Sequence, residues 1–286
     1  MAEPLDVSVI IPAFNEGPAI ANVIQALATA GRWHEIIVVD DGSSDDTGAR
    51  AAEAGAIVVR HPYNKGNGAS VKTGIRRATG EYVMIIDGDG QHSSEDARRL
   101  ISRLGEYDLV VGARTPETQA TTGRRIGNSA LNHLASYLTG REIPDLTSGF
   151  RGARRRYLRE FLHLLPNGFS TPTTTTLAFI KAGYNVTFEP TAARPRVGTS
   201  KIKLAQDGAK FFMIILKIVT LFSPLRIFVP VSLVTFVLGA LYGIWNVIVH
   251  ERIPNGSVLL ILFALAVFLV GLVSEQISTL RFESRE

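Results

Sequence analysis

Five short apolar runs in the first 115 residues each end at a polar cluster, and this repetition leaves few folds open. The runs occupy residues 7–13, 35–39, 57–59, 82–86 and 109–112. Each is too short for a helix and is bounded by Gly, Pro, Asn or Asp, which reads as a strand, with 35–39 and 82–86 buried. Between them the apolar spacing changes. Ile20, Val23, Ile24 and Leu27 share one face of a helix over 18–29. Further helices are expected to about Ala54, to about Ala78 and over 94–104. Strands alternating with helices at this spacing predict βαβ units and a mostly parallel sheet. In such sheets ligands bind beyond the carboxyl ends of the strands.

The run 82–86 carries the most chemistry, because it stops in Asp87-Gly88-Asp89-Gly90-Gln91. Glycines on both sides of Asp89 let the backbone approach a ligand. Hard carboxylate oxygens and a Gln amide suit Mg²⁺ or Mn²⁺, which keep positions for water and substrate phosphates. A polar turn with no ligand fits the same residues. The run 35–39 ends likewise, in Asp40-Asp41-Gly42-Ser43-Ser44-Asp45, where Ser44 or Asp45 can cap the next helix. Asn64-Lys65-Gly66-Asn67-Gly68 leads into another helix, whose N-terminus could face a phosphate. A plain loop and helix cap is the simpler reading there. Arg154-Arg155-Arg156 reads as a solvated charge run, with attraction to anionic lipid as the alternative.

Cysteine is absent, which removes disulfides and thiolate metal sites and fits a reducing compartment. The formal charge of +4 and pI near 9.4 leave nucleic acid, phosphate substrates and anionic lipid as partners. No nucleic-acid-binding module is recognisable, so no nucleic-acid partner is expected. The opening residues to Asp6 are acidic and lack the pattern of a secretory leader.

The hydrophobic surplus lies at the other end. Residues 204–222 put Phe211, Ile214, Ile215, Ile218 and Phe222 on one helical face, with Lys203, Lys210 and Lys217 recurring on another. That pattern predicts an interfacial amphipathic helix. Residues 227–249 hold no charge, and as a helix they cross a hydrocarbon core of about 30 Å, with Pro230 in the first turn. A polar turn at 250–256 precedes a second apolar run from Val258, with Glu275 near its exit. The basic residues flanking the pair place both ends in the cytoplasm. A buried hairpin in a soluble domain is the alternative.

In order and spacing these motifs resemble family 2 glycosyltransferases. The matching residues are Val9-Ile10-Ile11-Pro12-Ala13-Phe14-Asn15-Glu16, Val38-Val39-Asp40-Asp41-Gly42-Ser43, Asn64-Lys65-Gly66-Asn67-Gly68 and Asp87-Gly88-Asp89-Gly90-Gln91. Asp145-Leu146-Thr147-Ser148-Gly149-Phe150-Arg151 and Gly198-Thr199-Ser200-Lys201 look like the polyprenyl-phosphate branch, which includes dolichol-phosphate mannose synthase. The resemblance covers roughly residues 5–205. It implies an α/β, Rossmann-like domain of the A-type glycosyltransferase fold over 1–203. The amphipathic helix then occupies 204–223, and the transmembrane hairpin with a short cytoplasmic tail 224–286.

The resemblance also implies roles. Pro12, Phe14, Glu16, Lys65 and Gly88 would line the donor site, and Asp40 and Asp41 would hold base and ribose. Asp87 would face the donor, and Asp89 and Gln91 would bind the metal. Arg114, Arg125, Arg196 and Lys201 would contact diphosphate or acceptor phosphate, with Ser200 beside them. Asp87, Asp89, Arg125 and Lys201 would carry catalysis. Relatives often have an acidic residue on the helix after Phe169-Ser170, where this chain has Thr173-Thr174-Thr175-Thr176; a capped helix start accounts for the threonines.

The expected activity is inverting, metal-dependent transfer of one hexose from a nucleotide-diphosphate sugar to a polyprenyl phosphate. It would take place at the cytoplasmic face of the plasma (inner) membrane. A UDP-sugar is favoured and GDP-mannose is the alternative donor. A processive polysaccharide synthase lacks support because no Gln-x-x-Arg-Trp motif is present. A sugar-nucleotidyltransferase would need a Gly-rich basic loop where Phe14-Asn15-Glu16 stands. A non-catalytic scaffold that binds nucleotide sugars is the reading from outside enzymology. A homo-oligomer is compatible with the sequence.

Overall fold

The computed structural model describes residues 6–115, 122–168, 170–192 and 222–283. The chain divides into two compact units, Met1–Asp207 and Gly208–Glu286. The first is built on a seven-stranded sheet of order β3-β2-β1-β4-β6-β5-β7. Its strands are β1 (Val7–Ala13), β2 (Glu35–Asp40), β3 (Ile57–Arg60), β4 (Tyr82–Ile85), β5 (Leu109–Arg114), β6 (Arg151–Arg154) and β7 (Val186–Thr191). The five apolar runs form the first five strands. Ile10, Val38, Met84 and Val110 from their centres are fully buried, each contributing roughly 1.5–3 kcal/mol of hydrophobic stabilisation.

Helices α1 (Gly17–Ala30), α2 (Thr47–Glu53), α3 (Asn67–Arg77) and α4 (Ser94–Ser102) follow the first four strands. Ser93 caps α4 by accepting the Asp96 amide at 3.1 Å. Asp45 accepts the Thr47 amide at the start of α2 at 3.1 Å. Then come α5 (Thr122–Thr139), α6 (Arg155–Glu160) and α7 (Thr171–Lys181).

Neither β6 nor β7 stands out as an apolar run. Strand β6 reads Arg-Gly-Ala-Arg, yet it sits inside the sheet, antiparallel to both β4 and β5. All other pairings are parallel. The arginine run is correspondingly not a uniformly solvated face. Arg154 pairs with Glu81 at 2.9 Å and lies over the Tyr82 ring, and Arg155 Nε donates to the Gly80 carbonyl at 2.7 Å. Only Arg156 of the three is exposed. The sequence of a strand between two neighbours need not be apolar when its long side chains find acceptors at the strand ends.

In the second unit, α8 (Leu225–His250) and α9 (Asn255–Glu283) are joined by a turn in which Glu251 adopts left-handed backbone, φ 53°. Both helices are long and apolar enough to cross a membrane, with hydropathy 2.2 and 2.9 in their spanning stretches. Trp245 is 64% exposed and Ile248 75%, the opposite of a soluble core hairpin. Hydroxyls stitch the pair together: Ser257 Oγ donates to the Gly239 carbonyl at 2.7 Å and Ser232 Oγ to that of Ala264 at 2.9 Å. Glu275 Oε2 accepts the Leu225 amide at 3.2 Å, satisfying a donor at the start of α8. Because α8 begins at Leu225, Pro230 lies in its second turn and inside the helix rather than in the first turn. Of the amphipathic stretch 204–222, all but Phe222 lies outside the described residues.

Candidate active site

The antiparallel insertion of β6 builds the site. Ile85 at the end of β4 is registered with Arg151 at the start of β6. The residues just after one strand therefore lie beside those just before the other. Asp87–Gln91 and Asp145–Phe150 meet at the carboxyl edge, although 58 positions separate Asp87 from Asp145. A Cβ on Gly149 would stand 3.1 Å from Asp87 Oδ2, so the loop approaches that carboxylate closely. The His92 ring stacks on Phe150 at 4.5 Å between centroids. The Phe150 carbonyl accepts the Gly112 amide of β5 at 2.9 Å. On the other side Gly88 packs against the end of β1, where a Cβ would lie 3.7 Å from the Pro12 carbonyl.

A buried ion pair closes the far side. Arg114 holds Asp145 with two bonds, Nε to Oδ2 at 2.7 Å and Nη2 to Oδ1 at 3.0 Å. Nη2 also donates to Thr147 Oγ1 at 2.6 Å. Burial alone would raise the Asp145 pKa, but the Arg114 hydrogen bonds and charge hold it below the usual carboxylate range. Burial also opposes the Arg114 charge, and Asp145 with Asp87 more than offsets it, so its pKa is raised. Arg114, expected on a phosphate, thus commits Nε and Nη2 to the loop.

Asp89 is 5% exposed. Gly90, at φ 74°, folds the chain back so that the Gln91 amide donates to Asp89 Oδ1 at 3.2 Å. This turn fits a hard divalent cation: it offers carboxylate and amide oxygens beside the Asp87 carboxylate. No group of three or more His, Asp or Glu able to hold a metal occurs among the described residues. A cation here would draw its remaining ligands from water and substrate phosphate, as Mg²⁺ and Mn²⁺ do. His92 follows at once. Its pKa is pushed down by burial, against the pull of Asp89 and Asp96, and Nδ1 is buried without a hydrogen-bond partner among the described residues.

The donor-side loops interlock. Asn15, at φ 55°, donates its amide to Ser43 Oγ at 3.0 Å and accepts the Ser44 amide at 2.9 Å. The Glu16 amide donates to Thr47 Oγ1 at 2.9 Å. Phe14 and Glu16 are half-buried along this seam. Asp40 accepts the Ser43 amide at 2.9 Å and faces Arg60 Nε at 3.4 Å. Asp41, expected on base or ribose, commits both oxygens to protein. Oδ1 takes the Lys65 amide at 2.9 Å and His61 Nδ1 at 2.7 Å, and Oδ2 takes the Gly66 amide at 2.8 Å. Gly66 and Gly68 serve packing. A Cβ on either would strike the backbone of Asn167 or Pro166, and the Ala69 amide donates to the Asn167 carbonyl at 3.1 Å. Helix α3 starts from Gly66 with no side-chain cap.

The threonine run occupies the first turns of α7, buried throughout, with no side-chain cap at Ser170. Thr174, Thr175 and Thr176 return their hydroxyls to carbonyls four residues earlier. Arg151 is the residue that sequence reasoning missed here. It is 2% exposed, and its guanidinium donates to the carbonyls of Ser148 and Pro172 and to Thr176 Oγ1. Burial pushes its pKa down to about 10, with Asp145 and Asp87 pulling the other way. A lone Arg after Gly149-Phe150 gave no signal of burial. Arg125 stands in α5, but its side chain, like Arg196, Ser200 and Lys201 entirely, lies outside the described residues.

Comparison with known proteins bears on the family and the fold. Residues 8–162 match the model of glycosyl transferase family 2, and residues 223–280 match that of the GtrB C-terminal hairpin. The chain is 30% identical to glycosyltransferase AglJ of Haloferax volcanii, over 99% of this chain and 97% of that one. It is also 30% identical to the undecaprenyl-phosphate 4-deoxy-4-formamido-L-arabinose transferase of Klebsiella pneumoniae, over 55% of this chain and 51% of the relative. Glucosyl-3-phosphoglycerate synthase from Mycobacterium tuberculosis, solved with Mn²⁺ and UDP-glucose, shares the fold at TM-score 0.62 and 24% identity, over 76% of this chain and 78% of that one. The mixed sheet is of the A-type glycosyltransferase kind, and with the family match spanning strands β1 to β6 the chain belongs to glycosyl transferase family 2.

Proposed function

We propose that this glycosyltransferase moves a single hexose from a UDP-sugar to a polyprenyl phosphate, with inversion, at the cytoplasmic face of the membrane. The observation that carries the reading is the joining, in one chain, of a sugar-transfer site to two membrane-length apolar helices. A lipid acceptor explains the joint, and the Klebsiella pneumoniae relative is named for undecaprenyl phosphate. The lean towards UDP and a divalent cation has support from the Mycobacterium tuberculosis enzyme, which holds UDP-glucose and Mn²⁺ on the same fold.

The roles follow from chemistry. Asp89 and Gln91 would hold Mg²⁺ or Mn²⁺, which when bound neutralises the diphosphate leaving group. Asp87, ordered against Gly149, faces the donor. A phosphate monoester, with a second pKa near 6, is already largely dianionic at pH 7. It needs no strong base to attack the anomeric carbon, unlike a sugar hydroxyl. What the protein must supply is cations that hold two anions together, and Arg125, Arg196 and Lys201 are proposed for this, with Ser200 beside the acceptor phosphate and Lys65 on the bound donor. In domain terms, the transferase occupies 1–203, the interfacial helix 204–223 and the hairpin 224–286.

The test uses the full chain in nanodiscs containing polyprenyl phosphate. UDP-glucose, UDP-N-acetylhexosamine and GDP-mannose are supplied in turn with Mn²⁺ or Mg²⁺, and extracted lipid is weighed by mass spectrometry. One hexosyl unit per lipid from a UDP-sugar is expected. Transfer from GDP-mannose alone would replace the donor assignment, and the absence of any glycolipid would overturn the acceptor.

A further inference from the structure

We propose that His61 is a positioning residue of the donor site, a strut between Asp41 and α3 that fixes the loop carrying Lys65. The inference rests on the reading of Lys65 as a donor contact. His61 is 5% exposed and Asp41 3%. His61 Nδ1 meets Asp41 Oδ1 at 2.7 Å, and Nε2 meets Thr73 Oγ1 at 2.9 Å, within α3. The ring therefore spans from the end of β2 to the second turn of the helix. Asp41 in turn takes the amides of Lys65 and Gly66. Three donors on one buried carboxylate leave it little capacity for a ribose or base. Its work is to hold the backbone of the loop.

Elsewhere the loop touches protein mainly through its backbone, which passes close to Gly42, where a Cβ would lie 2.7 Å from the Tyr63 carbonyl carbon. Tyr63, Asn64 and Lys65 are exposed, and the Lys65 ammonium lies over the Tyr63 ring at 5.5 Å. Gly66, at φ 100°, is the residue from which α3 starts. Its polar anchors are the carboxylate at one end and α3 at the other, and His61 braces those two against each other. Without the imidazole, Asp41 loses its shortest contact and α3 loses its tie at Thr73. The loop then spends less time where Lys65 can meet a diphosphate. The Asp87–Gln91 turn belongs to another strand and is unaffected. The effect falls on donor binding and leaves the chemical step alone.

The experiment compares wild type, His61→Ala, His61→Asn and Thr73→Val as full chains in nanodiscs. Asn can return an N–H towards Asp41, whereas Ala cannot. Thr73→Val keeps shape and removes only the far partner, which serves if the alanine variant folds poorly. The substrate-independent readout is hydrogen exchange at the amides of residues 65 and 66. Exchange is expected to quicken in His61→Ala, less in Thr73→Val, and to recover in His61→Asn. Donor KM is expected to rise about ten-fold in His61→Ala with kcat within two-fold, and to recover in His61→Asn. Unchanged exchange in both His61→Ala and Thr73→Val overturns the strut. Faster exchange with an unaltered donor KM, or with kcat falling as much as KM rises, overturns the positioning role and leaves His61 as core. Protected amides in a wild type that transfers no sugar refute the function reading and not the strut.

Discussion

Removing the Asp145 charge tests the loop that β6 brings to the site. Asp145 is 1% exposed and receives both Arg114 bonds, the Arg114 amide at 3.2 Å and the Thr147 amide at 3.1 Å. Breaking a fully buried pair from one side costs about 3–5 kcal/mol. The Arg114 side chain is 29% exposed, so water screens part of this and about 2–3 kcal/mol is expected for Asp145→Asn. At roughly 2–4 °C per kcal/mol, the unfolding midpoint falls by about 4–12 °C. The double variant Arg114→Met with Asp145→Leu removes both charges and should regain part of the loss. The pH dependence has a definite sign. Because the folded Asp145 pKa lies below its ordinary value, the pair's contribution is complete above the ordinary aspartate range and fades as pH falls through the folded value. Wild type should lose stability on that acid limb more steeply than Asp145→Asn. Thermal unfolding of the detergent-solubilised chain at pH 7 and below 4, followed by circular dichroism, measures both. Strictly additive costs in the double variant, or identical acid limbs, would refute the reasoning.

Asp89→Asn keeps shape but removes a charge from a hard cation's ligands; near-complete loss of transfer with an unchanged unfolding midpoint is expected, and wild-type turnover with the same Mn²⁺ requirement would contradict it. Gly68→Val should destabilise the first unit by about 1–3 kcal/mol, because a Cβ there lies 2.2 Å from the Pro166 carbonyl; an unchanged denaturation midpoint would contradict the packing of α3 on that segment. Reporter fusions at residue 286 and within the turn 250–257 should lie on opposite sides of the membrane, and matching sides would overturn the hairpin topology. Lys201→Ala should lower kcat/KM for the lipid about ten-fold, the loss of one charge-assisted contact of roughly 1.5–3 kcal/mol, with Lys201→Arg recovering part; unaltered lipid kinetics would remove that residue from the acceptor site.

What the chain reveals by eye depends on whether one residue's surroundings are local. Strands β1 to β5 are legible because apolar runs between polar clusters are a local signal, and so are α8 and α9. The turn at Asp87 is legible for the same reason. Strand β6 is not, since Arg151 and Arg154 find their acceptors at Pro172, Thr176 and Glu81, far along the chain. The whole far wall of the site goes with it: the clasp of Arg114 on Asp145 and the stacking of His92 on Phe150 depend on the register of Ile85 with Arg151. Asp41 is the converse case. Its position at a strand's carboxyl end drew the expectation of a ligand, and nothing local announces the His61 ring and the two amides that the fold brings onto its carboxylate.

The central claim is that a lipid phosphate oxygen is the nucleophile. The direct test offers the full chain in nanodiscs either polyprenyl phosphate or the matching polyprenol, with the same UDP-sugar and Mn²⁺, and measures hexosyl-lipid by mass spectrometry. The account predicts a hexosyl phospholipid from the phosphate and no product from the alcohol, since a phosphate dianion attacks without first losing a proton and a hydroxyl does not. Equal transfer to the polyprenol, or release of free hexose alone, would contradict it.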